Sequence, residues 1–267
     1  MLTLENIILF MLLGAVVGLA AGLLGIGGGA IMVPVLAAIF LAQGVPAEQV
    51  IHIALGTSMA SIIVTSLSSL YAHHQRQGVI WPIVRNLAPG VILGTLVATY
   101  VVANVSSRFL AIFFTCFMVY VAIQMFLNFQ LPPSRQIPGK LPLFFTGGGI
   151  GLISALVAIG GGTLTVPFLA WHNIQLKKAI GTAAAVGFPI AVAGTFGYVM
   201  NGWNVSYSEP FLYGFIYLPA VLSISLVSYF TAPMGARLAH SLSVPTLKKI
   251  FAVFLLLISL RMLSTVI

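Results

Sequence analysis

Long apolar runs joined by short polar links set the pattern of this chain. A bilayer core about 30 Å thick takes roughly 20 apolar residues per helical crossing, and about eight stretches of the sequence reach that length. The pattern predicts an all-α integral membrane protein with little chain left for a soluble domain. Two stretches are too long for one simple crossing: the first runs from about Glu5 to Ala42 and the fifth from about Leu141 to Trp171. Each holds three consecutive glycines followed by a proline, Gly27-Gly28-Gly29 with Pro34 and Gly160-Gly161-Gly162 with Pro167. Both are expected to break and fold back as helical hairpins, with Pro34 and Pro167 as structural helix-break residues.

These two stretches head an internal duplication. GIGGGAIMVPVL at residues 25–36 is echoed by AIGGGTLTVPFL at 158–169. Leu55-Gly56-Thr57-Ser58 is echoed by Ile180-Gly181-Thr182-Ala183, and Ala88-Pro89-Gly90 by Leu218-Pro219-Ala220. Three echoes in the same order predict two repeats, residues 1–130 and 141–267, each a glycine-broken hairpin plus three transmembrane helices. Residues 131–140 form the linker between them.

Charge decides how the repeats sit. If each long stretch crossed once, alternate loops would carry five and six basic residues and give no orientation. If each folds back, Arg76, Arg85, Arg135, Lys140, Lys177, Lys178, Arg237, Lys248 and Lys249 share one face, and only Arg108 and Arg261 lie on the other. Basic residues gather on the cytoplasmic side, so the linker is expected to be cytoplasmic and both termini periplasmic, in a bacterial inner (plasma) membrane. The two repeats are then inverted relative to each other, a recurring plan of secondary transporters whose sites lie near the midplane. Trp81 and Trp171 fall near the cytoplasmic boundary and Trp203 near the periplasmic one, as aromatic belts do.

Composition removes other classes. The chain is 60% hydrophobic and 5% charged, against about a quarter charged in ordinary soluble domains. Its net charge of +8 comes from scattered basic residues, which suits membrane orientation and not nucleic acid. The lone Cys116 admits no intrachain disulfide or cysteine metal cluster. No Lys or Arg precedes the first apolar run, so that run is read as part of the mature protein.

Candidate chemistry centres on the glycine breaks. Irregular backbone at membrane depth is tolerated where protein or a watery cavity covers it, and a resuming helix presents free N–H groups and a positive dipole end. Gly27, Gly28, Gly29, Gly160, Gly161 and Gly162 are therefore candidate contacts to a small anion; the competing role is close packing of helices by small residues. Thr57, Ser58 and Thr182 follow glycines where a helix faces a hairpin tip. They either donate to the anion or bond back to their own helices. The string from Gly25 to Ala30 lacks the strand and the acidic partner of a dinucleotide fingerprint. His52, His73, His74, His172 and His240 show no metal-ligand spacing and are expected at surfaces or interfaces. No nucleophile–base pair, metal or cofactor is expected, so the chain reads as a non-enzyme.

The paired glycine–proline strings with their downstream Gly-Thr elements resemble the sulfite exporter TauE/SafE family of bacterial membrane proteins over essentially the whole chain. That resemblance implies transport of sulfite, organosulfonates or related sulfur-containing anions, with the bilayer and a small anion as partners. It carries over to Gly27, Gly28, Gly29 and Pro34, and to Gly160, Gly161, Gly162 and Pro167. An anion channel or uniporter, or an accessory subunit of a larger membrane complex, are the alternatives.

Overall fold

The computed structural model of the chain describes residues 3–24, 28–127, 136–203, 209–238 and 244–266. Among these the chain forms ten helices and one short ribbon. The first half gives α1 (Leu4–Leu24), α2 (Gly29–Ala42), α3 (Ala47–Gln75), α4 (Trp81–Ala103) and α5 (Ser107–Phe126). The second gives α6 (Lys140–Leu156), α7 (Gly162–Trp171), α8 (Leu176–Asn201), α9 (Leu218–Leu238) and α10 (Val244–Val266), with β1 (Leu212–Tyr213) paired to β2 (Ile216–Tyr217) just before α9. The element order therefore repeats. Six helices are long and apolar enough to cross a membrane, and the resumed helices α2 and α7 are shorter. Pro34 and Pro167 are each the sixth residue of those resumed helices, while the chain breaks at the glycines before them.

The first break folds the chain back on itself. Phe10, early in α1, and Phe40, late in α2, have ring centroids 6.4 Å apart, and both pack on Tyr217. A cleft of about 630 Å³ is lined by Glu5 and Asn6 from α1, Ile39 and Gln43 from α2, and Ile258 and Arg261 from α10. The start of α1, the end of α2 and the end of α10 thus share one end of the bundle.

Helices α3 and α8 form the centre, and both are mostly buried, whereas less than half of the apolar spans of α1, α4, α5 and α9 is buried. Exposed Leu12, Val16, Leu93, Val97, Leu222 and Leu226 belong against lipid tails, where exposure carries no hydrophobic cost. The central pair runs antiparallel. Near the end of α3, His73 backs onto Gly181 at the start of α8; near the start of α3, Gly56 meets Phe215, whose N–H bonds Tyr198 late in α8.

The halves embrace each other. Helix α6 of the second half lies along α4 of the first, and α1 of the first along α9 of the second. Both contacts are close because glycines remove the side chains between backbones. Gly90 and Gly94 press on Phe144 and Gly148, and Gly147 and Gly151 press on Leu87 and Val91. Gly14, Gly18 and Gly235 do the same between α1 and α9.

Candidate functional site

Two glycines shape the breaks. Gly28 and Gly161 both hold φ 76° and ψ −11° and cap the starts of α2 and α7. Side-chain-bearing residues rarely adopt that left-handed conformation, and glycine adopts it without steric cost. The Gly28 carbonyl accepts from Ile31 and Met32, and the Gly161 carbonyl accepts from Leu164 and Thr165. The N–H groups of Gly29 and Ala30, and of Gly162 and Thr163, precede these first intrahelical bonds and stand at the positive ends of the helix dipoles.

The two tips meet. A Cβ on Gly29 would collide with the carbonyl oxygen of Ala158, the residue that leads into the second tip, and would press on Ile62 of α3. The Gly160 carbonyl rests on Gly187 of α8, where a Cβ would stand 2.5 Å from the oxygen. Ile62 and Gly187 are 125 residues apart, the same offset as Gly56 and Gly181. Each central helix thus supports one tip at an equivalent position. The Tyr198 hydroxyl, fully buried, donates to the Ala155 carbonyl at 2.8 Å and braces the end of α6 behind the second tip. Gly27 lies outside the described residues.

The Gly-Thr pairs have a definite task. Thr57 Oγ1 accepts the N–H of Tyr217 at 3.0 Å, the residue just before α9. Thr182 Oγ1 accepts the N–H of Ile80 at 3.0 Å, the residue just before α4. The glycine before each threonine allows the approach: a Cβ on Gly56 would strike the Phe215 carbonyl, and one on Gly181 would strike the Gly78 carbonyl. Each central helix therefore fastens the start of a helix in the opposite half through the same two-residue latch. Neither threonine bonds back to its own helix. The oxygen acts as an acceptor, and the hydroxyl proton of each is left to donate.

Ser58 is fully buried and its hydroxyl has no hydrogen-bond partner. It lies one turn before Ile62 on the α3 face that meets the first tip. The buried hydroxyl oxygens of Ser154, Thr163 and Thr165 likewise have no hydrogen-bond partner, although Thr163 as a whole is half-buried. Ser154 ends α6 one turn after Ile150, and Thr163 and Thr165 lie in the first turn of α7. Thr165 Oγ1 and Ile150 Cγ2 are 3.6 and 3.8 Å from the point where a Cβ on Gly161 would stand. Burial without a partner is uncommon for polar groups. The signal in the sequence was a departure from the repeat: Thr163 and Thr165 stand where the first half has Ala30 and Met32.

Histidines serve structure. His52 and His172 are buried, against the expectation of a surface position. His52 Nδ1 lies 3.0 Å from Ser107 Oγ and Nε2 3.0 Å from the carbonyls of Val102 and Val105, which ties α3 to the α4–α5 turn. His172 Nδ1 lies 2.7 Å from the Phe168 carbonyl; His240 lies outside the described residues. Among the described residues, no group of three or more His, Cys, Asp or Glu side chains could hold a metal ion. Glu5 and Glu48 are exposed and Glu209 is half-buried, and each Lys or Arg whose side chain is described is exposed.

Comparison with known proteins agrees with this architecture. A probable membrane transporter protein of Haemophilus influenzae is 38% identical over 96% of this chain and 97% of its own length. Two further probable membrane transporter proteins are similar, one of Methanocaldococcus jannaschii, 27% identical over 88% of this chain and 87% of the relative, and YunE of Bacillus subtilis, 23% identical over 96% and 97%. No solved structure gives a significant match. The model of the family described as Sulfite exporter TauE/SafE matches residues 10–262. The chain is a multi-pass membrane transporter and not an enzyme, and it belongs to the sulfite exporter TauE/SafE family.

Proposed function

We propose that the chain is a secondary transporter that moves a small sulfur-containing anion, such as sulfite or an organosulfonate, across the inner membrane. The anion sits between the two hairpin tips, held by N–H groups at the starts of α2 and α7 and approached through Gly28, Gly29, Gly160, Gly161 and Gly162. Ser58 lies beside this place. Thr57 and Thr182 position the surrounding helices and keep their hydroxyl protons available to the anion. The observation that carries the reading is the pairing of the tips. Two breaks whose capping glycines, Gly28 and Gly161, share the same φ and ψ come together in the interior, where irregular backbone is otherwise avoided.

The two halves act as inverted repeats, consistent with the antiparallel run of α3 and α8. Both chain ends then face the periplasm, and the Arg76 loop faces the cytoplasm. Such an arrangement suits alternating access, in which one repeat rocks against the other around a fixed site.

Counterflow in proteoliposomes tests the proposal. Vesicles loaded with unlabelled sulfite should accumulate labelled sulfite transiently against its gradient, because a carrier exchanges across the membrane faster than it moves net solute. Sulfite flux without counterflow would identify a channel, and no sulfite flux would reject the assignment of cargo.

A further inference from the structure

The cleft where the start of α1 meets the ends of α2 and α10 is separate from the tips, and none of the described tip glycines lines it. Its wall divides by chemistry. At the mouth stand Glu5 and Asn6 of α1, Gln43 at the end of α2 and Arg261 near the end of α10. About one turn further into each helix the wall is hydrocarbon, from Leu9, Ile39 and Ile258, and Val35 continues it one turn beyond Ile39.

Gln43 is the unsatisfied group of this wall. The oxygen and the nitrogen of its side-chain amide are both buried, and neither has a hydrogen-bond partner. Such groups are uncommon in proteins. An amide is donor and acceptor at once, so a ligand carrying both kinds of group would recover the free energy lost by leaving it dry. Charge points to the same kind of ligand. Of the three acidic and eleven basic residues in the chain, Glu5 and Arg261 bring one of each sign to this mouth. On the topology proposed above, Arg261 also lies on the face that orientation keeps poor in basic residues, so orientation does not account for it.

Shape adds an apolar end to the ligand. The volume of about 630 Å³ falls in the range of ligand sites, about 300–1,000 Å³. Gln43 and Pro34 both line the cleft, and nine residues of helix at 1.5 Å each separate them by about 13 Å. A small polar solute would fill the mouth and leave the hydrocarbon wall uncovered. The cleft also opens towards lipid: Leu9 and Ala38 of its wall are exposed, as are Leu12, Leu257 and Leu260 beside it.

We propose that this cleft binds one phospholipid whose headgroup carries a primary ammonium next to its phosphate. The ammonium donates to the Gln43 oxygen and lies near the Glu5 carboxylate. The phosphate accepts from the Gln43 nitrogen and from Arg261. One acyl chain runs along Leu9, Ile39, Val35 and Ile258. A quaternary ammonium has no N–H to give the amide oxygen, and a headgroup with a phosphate alone sets a second negative charge beside Glu5. The lipid is a structural ligand that joins the ends of three helices, so binding and stability, not flux, report it.

Delipidated full-length protein in detergent is titrated with dioleoyl phosphatidylethanolamine, phosphatidylcholine and phosphatidylglycerol, and with soluble phosphoethanolamine, while its melting point is followed. Phosphatidylethanolamine should raise the melting point and half-saturate at a concentration at least about tenfold lower than the other two lipids, the scale of one charge-assisted hydrogen bond. Soluble phosphoethanolamine should give no shift. Gln43→Leu should weaken phosphatidylethanolamine about tenfold. Its lipid-free melting point should not fall, because an apolar group replaces an unpartnered amide. Ala38→Phe, at an exposed position of the wall, should fill the cleft and remove the shift. Equal shifts with all three lipids would mean unselective lipid contact, and a shift with phosphoethanolamine as large as with the lipid would mean a soluble occupant. Either result, or unchanged lipid binding in both variants, would overturn the proposal. None of these outcomes bears on the anion at the tips.

Discussion

Replacing Thr57 by valine keeps the shape of the side chain and removes a single oxygen. In the structure that oxygen accepts the N–H of Tyr217, and both residues are buried, at 0% and 1% exposure. The variant leaves a backbone donor dry at the point where α9 begins. A buried donor without a partner costs about 1–3 kcal/mol, so Thr57→Val should lose about that much unfolding free energy. Thr182→Val removes the equivalent acceptor from Ile80, but Ile80 is only half-buried and water can replace part of the bond. Its cost should be smaller, about 0.5–1.5 kcal/mol. The two latches share no partner, so the double variant should lose the sum to within about 0.5 kcal/mol. Equilibrium unfolding in mixed micelles, titrated with denaturing detergent, measures all three. Single variants within about 0.3 kcal/mol of the parent, or a larger loss at Thr182 than at Thr57, would refute the latch.

Other outcomes follow from the same geometry. Glu5→Gln, Glu48→Gln and Glu209→Gln should each leave transport in proteoliposomes largely intact, since none of these carboxylates is buried in the bundle; loss of flux in a well-folded Glu48→Gln protein would assign it a coupling role. In a Cys116→Ala background, an impermeant thiol reagent added outside intact cells should label Ala47→Cys and not Arg76→Cys, and equal labelling would contradict the inverted arrangement. Gly149→Ala should be neutral or stabilise by up to about 1 kcal/mol, because the residue is inside α6 with open space around its Cβ position and alanine is the better helix former. A clear loss of stability there would show contacts that the structure does not contain.

Much of this fold was legible because membranes restrict the options. Apolar runs of about 20 residues have one stable form in lipid, and the paired Gly-Gly-Gly breaks announced themselves by recurring with a proline at the same distance. The fold-back of the first hairpin, expected from charge, is visible in the Phe10–Phe40 contact. The roles of Thr57 and Thr182 were not legible, since their partners lie 160 and 102 residues away. Spacing along one helix could suggest only an anion or the helix itself. The run Gly147-Gly148-Gly149 shows the limit of composition. It has the same letters as the breaks, yet it stays helical, and Gly147 packs α6 on α4 against the Leu87 carbonyl. Ser154, Thr163 and Thr165 escaped notice for a different reason. A search for features shared by both halves discards those that only one half possesses, and selectivity between ligands is the kind of property an asymmetry creates.

The central claim is that the glycine tips hold an anion through their main chain, and Gly161→Ala tests it most directly. The substitution adds one methyl group at φ 76°, with Ile190 Cδ1 2.6 Å from the new Cβ position. It strains the turn and narrows the space beside the N–H groups of Gly162 and Thr163. Sulfite-induced thermal stabilisation should be measured beside the ligand-free melting point, in the parent and the variant. The account predicts a lower ligand-free melting point and a sulfite shift reduced to a small fraction of the parent's. A variant that melts lower yet gains the full sulfite shift would mean that the glycines only pack helices and that the anion binds elsewhere.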